Sequence, residues 1–178
     1  MSASKWKPYP NYKKSNISWI SEIPTHWNEE KTKRVYNKME REPISNDEVV
    51  TCFRDGEVTL RKNRRAIGYT ESNKEIGYQR VRKGDLVIHE MDGFAGAIGV
   101  SDSDGKCTPV YSILTAKSDA NPVYHSYVFR EMAKRKWIAA LSKGIRQRST
   151  EFRYATSSEE LLPMPSKLQQ DEISVFLE

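Results

Sequence analysis

From Glu48 to Ala116 short apolar runs alternate with turn signals, and none of the runs is long enough for more than a brief strand. Glu48–Cys52 is a short β-branched run. Asp55-Gly56 and Arg82-Lys83-Gly84-Asp85 are turn signals, and Leu86-Val87-Ile88 is a brief apolar strand. Ala97-Ile98-Gly99-Val100 and Pro109–Leu114 follow, separated by the Asp102-Ser103-Asp104-Gly105 turn. Strands this short, joined by turns, predict a twisted, mostly antiparallel β core.

Helical signals flank that core. Asn28, with Glu29 and Glu30 in the positive first turn, predicts a helix over 28–38 with Val35 and Met39 on one face. Asn121-Pro122 opens a second, because Asn caps and Pro suits the first helical position. Phe129, Met132, Ala133, Trp137, Ala140 and Leu141 share one face of it, and Gly144 ends it near residue 143. Its cations lie largely off that face, so its exposed side is expected to be basic. Ser166-Lys167-Leu168-Gln169 has capping-box spacing and starts a third helix, with Ile173, Phe176 and Leu177 along one side. The sequence stops at Glu178 after barely three turns, and this helix is expected to be cut rather than complete. Lys5–Trp27, rich in aromatics and proline, shows no period and reads as an extended arm with aromatic anchors. Leu161–Pro165 reads as a rigid apolar connector. The fold class is therefore α+β.

The net charge of +5 is unevenly distributed. Arg130–Arg153 holds eight cations against Glu131 and Glu151, a net +6, whereas Tyr154–Glu178 carries −4. Arg61-Lys62-Asn63-Arg64-Arg65 puts four cations in five residues. Clustered cations favour a polyanion through counterion release. Cys52 and Cys107 are too few and too far apart for a disulfide framework. Neither they nor His26, His89 and His125 have metal-ligand spacing, so two core thiols in a reducing cytoplasm are expected and a metal is not. No apolar run approaches the roughly 18 residues of a membrane span, and no signal-peptide pattern opens the sequence. Phe94–Gly99 is similar to the Gly-rich turn that cradles S-adenosylmethionine, and Asn121-Pro122-Val123-Tyr124 to the Asn-Pro-Pro-Tyr set of adenine methyltransferases. The glycine spacing departs from Phe-x-Gly-x-Gly, a strand follows Gly99 where a helix is needed, and Asn121-Pro122 suffices as a helix start. Nuclease carboxylate sets, a nucleophile elbow and a P-loop do not occur.

Several segments, in order, resemble the specificity subunits of type I restriction–modification enzymes. Trp19–Trp27 is similar to the family's W-(I/L)-G-E-I-P-E-H-W segment, with Ser21 where glycine is usual. Gly84-Asp85-Leu86-Val87-Ile88, through Met91 to Gly96-Ala97-Ile98-Gly99-Val100-Ser101, resembles GDLV…M…GAIGVS. Thr108-Pro109-Val110-Tyr111 matches (S/T)-P-x-Y, and Lys143-Gly144-Ile145-Arg146-Gln147 matches KGIRQ. Leu162-Pro163-Met164-Pro165, Gln169-Gln170 and Ile173–Leu177 resemble P-L-P-P…EQ…I…FL, with Lys167 interrupting the proline run. The set spans residues 17–178. The resemblance implies a non-catalytic target-recognition domain over 1–165, with 1–27 as the arm, and the start of a helical spacer at 166–178. It implies recognition of one half of a bipartite site in double-stranded DNA, without catalytic residue, cofactor or metal. The implied partners are methyltransferase subunits, a restriction subunit, and a second recognition domain or paired copy. The expected DNA-contacting residues are Arg61, Lys62, Arg64, Arg65, His89, Lys143, Arg146, Gln147 and Arg148; Arg and Gln suit bidentate pairing with guanine and adenine. Ile173, Phe176 and Leu177 are expected to be exposed and to meet a partner. Two alternatives stand beside this reading: a methyltransferase fragment with its own S-adenosylmethionine site, and a nucleic-acid-binding module without sequence preference.

Overall fold

The computed structural model describes residues 8–64, 75–117, 119–141 and 151–178. The amino-terminal segment does not stay extended. Strand β1 (Tyr12–Lys14) folds back antiparallel on β2 (Glu22–Pro24), with Tyr12 opposite Pro24. The connecting loop buries Ile17 and sets Trp19 against the main core, so aromatic anchoring holds.

Residues 28–38 do not form the expected helix. They form β3 (Asn28–Lys31), a single turn α1 (Thr32–Val35) and β4 (Tyr36–Met39). Glu29 is not at a helix start: its carboxylate accepts the Ser15 hydroxyl (2.6 Å) and both the backbone amide (2.9 Å) and side-chain amide (2.6 Å) of Asn16. Asn28 lies opposite Met164 because β3 pairs antiparallel with Leu161–Met164. Tertiary pairing overrides a local helix preference here.

A hairpin follows, β5 (Val50–Cys52) with β6 (Val58–Leu60), and then one turn of helix, α2 (Arg61–Arg64). Next come β7 (Gln79–Val81), β8 (Leu86–His89), a 3₁₀ turn at Gly93–Ala95, β9 (Ile98–Val100), β10 (Gly105–Cys107) and β11 (Tyr111–Ala116). The central sheet runs β4-β11-β8-β9, every neighbour antiparallel; Ile113 faces Met39 on one side and Val87 on the other. β7 pairs with β10 in a small satellite sheet.

The run Leu86-Val87-Ile88 is apolar throughout because both faces of the sheet are covered. Successive strand side chains point to opposite faces. Leu86, Ile88, Ile98 and Leu114 enter one core with Tyr36, Phe129 and Met132, while Val87 and Ile113 enter a second with Val50, Cys52, Val58 and Cys107. The first core is roofed by α3 (Pro122–Lys134), and the second by the β5–β6 and β7–β10 pairs. Each fully buried large side chain contributes roughly 1.5–3 kcal/mol, which lets strands of three or four residues persist.

The expected helix over 121–143 begins as read. The Asn121 side chain accepts from the amides of Val123 (2.8 Å) and Tyr124 (3.1 Å). It breaks at Lys136, whose φ of 62° is left-handed, and restarts as α4 (Trp137–Leu141). The break resets the helical phase, so Ile138 is buried and Ala140, expected on the apolar face, is exposed. Gly144, the expected cap, lies outside the described residues. After α5 (Tyr154–Ser157), the expected connector is β12 (Leu161–Met164), the partner of β3. The last element is α6 (Lys167–Leu177), where Ser166 Oγ accepts from Gln169 N at 3.3 Å. The reciprocal half of the capping box is not made: Gln169 Oε1 is buried without a hydrogen-bond partner. Among the described residues no helix is long and apolar enough to cross a membrane.

Candidate nucleic-acid interface

The cluster at Arg61–Arg65 sits in α2, with Arg65 outside the described residues. Its cations are matched by local acids that a count of cations overlooks. Lys62 Nζ lies 2.6 Å from Glu48. Arg64 bonds Asp55 and Glu57, each at 2.7 Å, and covers the Phe53 ring at 4.2 Å. Burial raises the Asp55 pKa, but the Glu57 amide and the Arg64 guanidinium outweigh it and hold the carboxyl below its ordinary value. Arg61 donates through Nε to Thr51 (3.3 Å) and borders a cleft of about 250 Å³ with Lys62, Lys106, Asp47, Glu48 and Glu75. Asp55 and Glu57, within ten residues of Arg64, were the sequence signal for this compensation.

His89 ends β8 and stacks edge-on against Tyr111, centroids 4.5 Å apart. Its Nδ1 accepts from the Asp92 amide at 3.1 Å, which assigns the ring proton to Nε2. Burial lowers its pKa, so the ring is neutral at pH 7.

Lys143, Arg146, Gln147 and Arg148 lie outside the described residues, but their flanks are placed. On one side, α4 ends at Leu141, which packs against the main core. On the other, the Phe152 amide donates to Glu90 O at 2.7 Å, and its ring is buried against Phe129 with centroids 6.2 Å apart. Phe152 also lies under Gly93. The carboxy-terminal flank of the basic segment therefore meets the chain one residue beyond His89.

The same end of the domain holds a cleft that the sequence did not disclose. The Phe53–Glu57 turn crosses the Gly93–Gly99 segment so closely that a Cβ on Gly99 would lie 1.9 Å from Gly56 O. Gly99 therefore serves backbone contact, in agreement with the structural reading of the Gly-rich segment. Asn121 is likewise engaged in the fold, capping α3 and donating to Asp171 at 2.7 Å. Between the turn, the 3₁₀ segment and α3 opens a cavity of about 440 Å³ bordered by Arg54, Phe94, Tyr127, Arg130, Glu131 and Lys134. Arg54 reaches Asp92 at 2.8 Å. Glu131 is engaged by Arg135 at 2.8 Å and Lys134 at 3.9 Å. Phe94 at the border of the cavity leaves apolar surface exposed, as does Met91 three residues earlier. Lys134 at the end of α3 and Arg135 and Lys136 in the turn after it are exposed, with Arg130 and Glu131 half-buried on the helix.

Among the described residues no group of three His, Cys, Asp or Glu side chains could hold a metal ion. Cys52 and Cys107 are buried free thiols whose pKa values burial pushes up, that of Cys107 to about 12.

On α6, Phe176 and Leu177 are exposed as expected, together with Leu168 and Val175. Ile173 is not: it is half-buried and packs on the main core, because α6 leans on α3. Gln170, fully buried, locks that packing. Its side chain accepts from the Asn121 amide (2.9 Å) and donates to Asp119 O (3.0 Å) and Pro165 O (2.9 Å).

No protein-family model and no curated protein matches this sequence. Solved structures share its fold. An HsdS subunit from Thermoanaerobacter tengcongensis is 12% identical with a TM-score of 0.58, covering 93% of this chain and 39% of that one. A structure described as the basis of complex assembly and conformational transition of the type I R-M system is 14% identical, with a TM-score of 0.56 over 87% of this chain and 38% of that one. The type I restriction-modification S subunit from M. genitalium is 13% identical, with a TM-score of 0.54 over 85% of this chain and 38% of that one. The resemblance drawn from the ordered sequence segments holds at the level of fold, and the chain spans well under half the length of these proteins.

Proposed function

We propose that this chain is a DNA-recognition unit of a type I restriction–modification specificity subunit, reading one half of a bipartite target. The observation that carries this reading is the shared fold over 85–93% of the chain with specificity subunits. A likeness at 12–14% identity speaks for architecture; the step to function rests on the site. Lys143, Arg146, Gln147, Arg148 and His89 supply base and phosphate contacts. Arg61, Lys62, Arg64 and Arg65 add a second set, in which Arg64 is held by its acids and Lys62 is the more exposed. Phe176 and Leu177, on the exposed side of α6, meet a partner, and Ile173 supports them from beneath. Residues 1–165 form the recognition unit and 166–178 begin the spacer.

In this role the chain performs no chemistry and takes no cofactor. It places separate methyltransferase and restriction subunits on DNA in the cytoplasm, together with a second recognition unit in a longer chain or a paired copy. Co-expression with the methyltransferase subunit of the same system, followed by mapping of modified adenines, tests it. Modification at a split sequence, one half of which changes when this unit is exchanged, is expected. A modification pattern indifferent to this unit, or S-adenosylmethionine binding by the isolated chain, would count against it.

A further inference from the structure

We infer that the cleft between the Phe53–Glu57 turn, the 3₁₀ segment and α3 is a phosphate seat, in which Arg130 grips the oxygens and Arg54 and Lys134 form the cationic rim. Arg130 reaches across to the turn that faces its helix. Its guanidinium lies against the Gly56 backbone, so close that a Cβ there would come within 2.7 Å of Cζ and Nη1. On its own helix it neighbours the Tyr127 ring, 5.6 Å from Cζ to the centroid. Gly56, at φ 92°, adopts a conformation that an L side chain rarely takes, and it leaves the space the guanidinium fills.

Arg41, Arg54, Arg64, Arg80, Arg135 and Arg153 each have a carboxylate within ion-pair distance. Arg130 has none among the described residues, although it is half-buried. Glu131, the one carboxylate bordering the cleft among the described residues, is engaged by Arg135 and Lys134. Arg54 and Lys134 are ion-paired with Asp92 and Glu131, so the uncompensated charge of the concavity is that of Arg130, which focuses potential on an incoming oxyanion. The planar fork matches paired phosphate oxygens. The cleft, at about 440 Å³, has room for the attached sugar as well. The phosphate is that of a bound DNA strand or of a free phosphoester. The first source rests on the DNA-recognition reading above; the seat itself does not.

The test uses the whole chain, with Arg130→Gln, Arg130→Lys and, as a charge-matched control away from the cleft, Lys33→Gln. Binding of a duplex is followed by fluorescence anisotropy across a salt series, and inorganic phosphate is titrated while the Arg130 side-chain NMR signal is observed. Arg130→Gln is expected to weaken duplex binding about tenfold or more, in line with a charge-assisted hydrogen-bond pair. It should also reduce the slope of log K against log salt by about one. Arg130→Lys keeps the stem and the charge, so it should retain the slope while losing part of the affinity; it replaces Arg130→Gln if that variant melts early. Lys33→Gln should stay within about twofold, because one exposed charge far from the contact is screened. Phosphate should shift the Arg130 signal in the parent chain.

If the parent binds duplex, the Arg130 variants match Lys33→Gln and phosphate leaves Arg130 unmoved, the seat is overturned while DNA recognition stands. If phosphate moves Arg130 but duplex affinity ignores it, the seat stands and its ligand is a free phosphoester. If the parent binds no duplex, DNA recognition fails, and the phosphate titration alone decides the seat.

Discussion

Replacing Asp85 by Asn removes the charge at the centre of a buried ionic knot. Asp85 Oδ2 accepts from Arg41 Nη1 at 2.6 Å and from the Arg82 amide at 2.8 Å. Oδ1 accepts from Arg41 Nη2 at 3.2 Å and from Thr115 Oγ1 at 2.9 Å. The side chains of Arg41 and Asp85 are only 14% and 5% exposed, so water cannot replace what is lost. Asn keeps one acceptor but turns an N–H₂ donor toward other donors, and it leaves the guanidinium buried without its counter-charge. Breaking one side of such a pair costs about 3–5 kcal/mol. At roughly 2–4 °C per kcal/mol for a chain of this size, the melting temperature should fall by roughly 6–20 °C. Urea unfolding at pH 7, with parent and variant sharing one m value, measures the change directly. Because Arg41, Asp85 and Thr115 tie the turn before β8 to β11 and the chain beyond β4, Arg41→Gln alone should cost a similar amount. The double variant should cost much less than the sum. A loss below about 1 kcal/mol for Asp85→Asn, within the range of exposed pairs, would refute the view that this knot holds the central sheet in register.

Two further outcomes follow from buried groups. Burial holds the His125 pKa down to about 4, against 6.5 for the free side chain, with the Tyr36 hydroxyl 2.8 Å from Nδ1. The unfolded chain therefore binds more protons between those values. The contribution is complete above about pH 6.5 and is lost as pH falls toward 4, amounting to about 3 kcal/mol at 1.36 kcal/mol per unit. Urea midpoints at both ends of that window should show this, and His125→Gln should flatten the slope; an unchanged slope in the variant assigns the effect elsewhere. Gln170→Leu strands the Asn121 amide and the carbonyls of Asp119 and Pro165, which should cost about 2 kcal/mol or more. Hydrogen exchange should then accelerate in the first turns of α6, and undiminished protection there would show that Gln170 does not anchor the helix.

Where a segment's structure depends on near neighbours, it was legible in the sequence. Asn121-Pro122 announces α3, Ser166 announces α6, and the run Leu86–Ile88 announces a brief apolar strand. Residues 28–38 were not legible, because β3 finds its partner in Leu161–Met164, more than a hundred residues away, and Glu29 is claimed by Ser15 and Asn16. The break at Lys136 was hidden for the opposite reason: apolar residues on both sides still reach one core, so periodicity runs through it. Charge clusters showed the sign of the surface but not its compensation by Glu48, Asp55 and Glu57. The cleft around Arg130 joins three segments distant in sequence, brought together by the packing of α3 on β9 and the 3₁₀ turn and by the close passage of Gly56 over Gly99.

The sharpest question is whether the chain reads sequence at all. Selection from a random duplex pool by the folded chain, with sequencing of the retained fraction, answers it. One short motif should be enriched, and Arg146→Ala with Gln147→Ala should lose that enrichment at about 1–3 kcal/mol per base contact. The melting temperature of that variant should hold, since surface changes usually stay within about 0.5 kcal/mol. A retained pool as random as the input, or a variant that unfolds while its folded fraction still selects the motif, would contradict sequence reading by this segment.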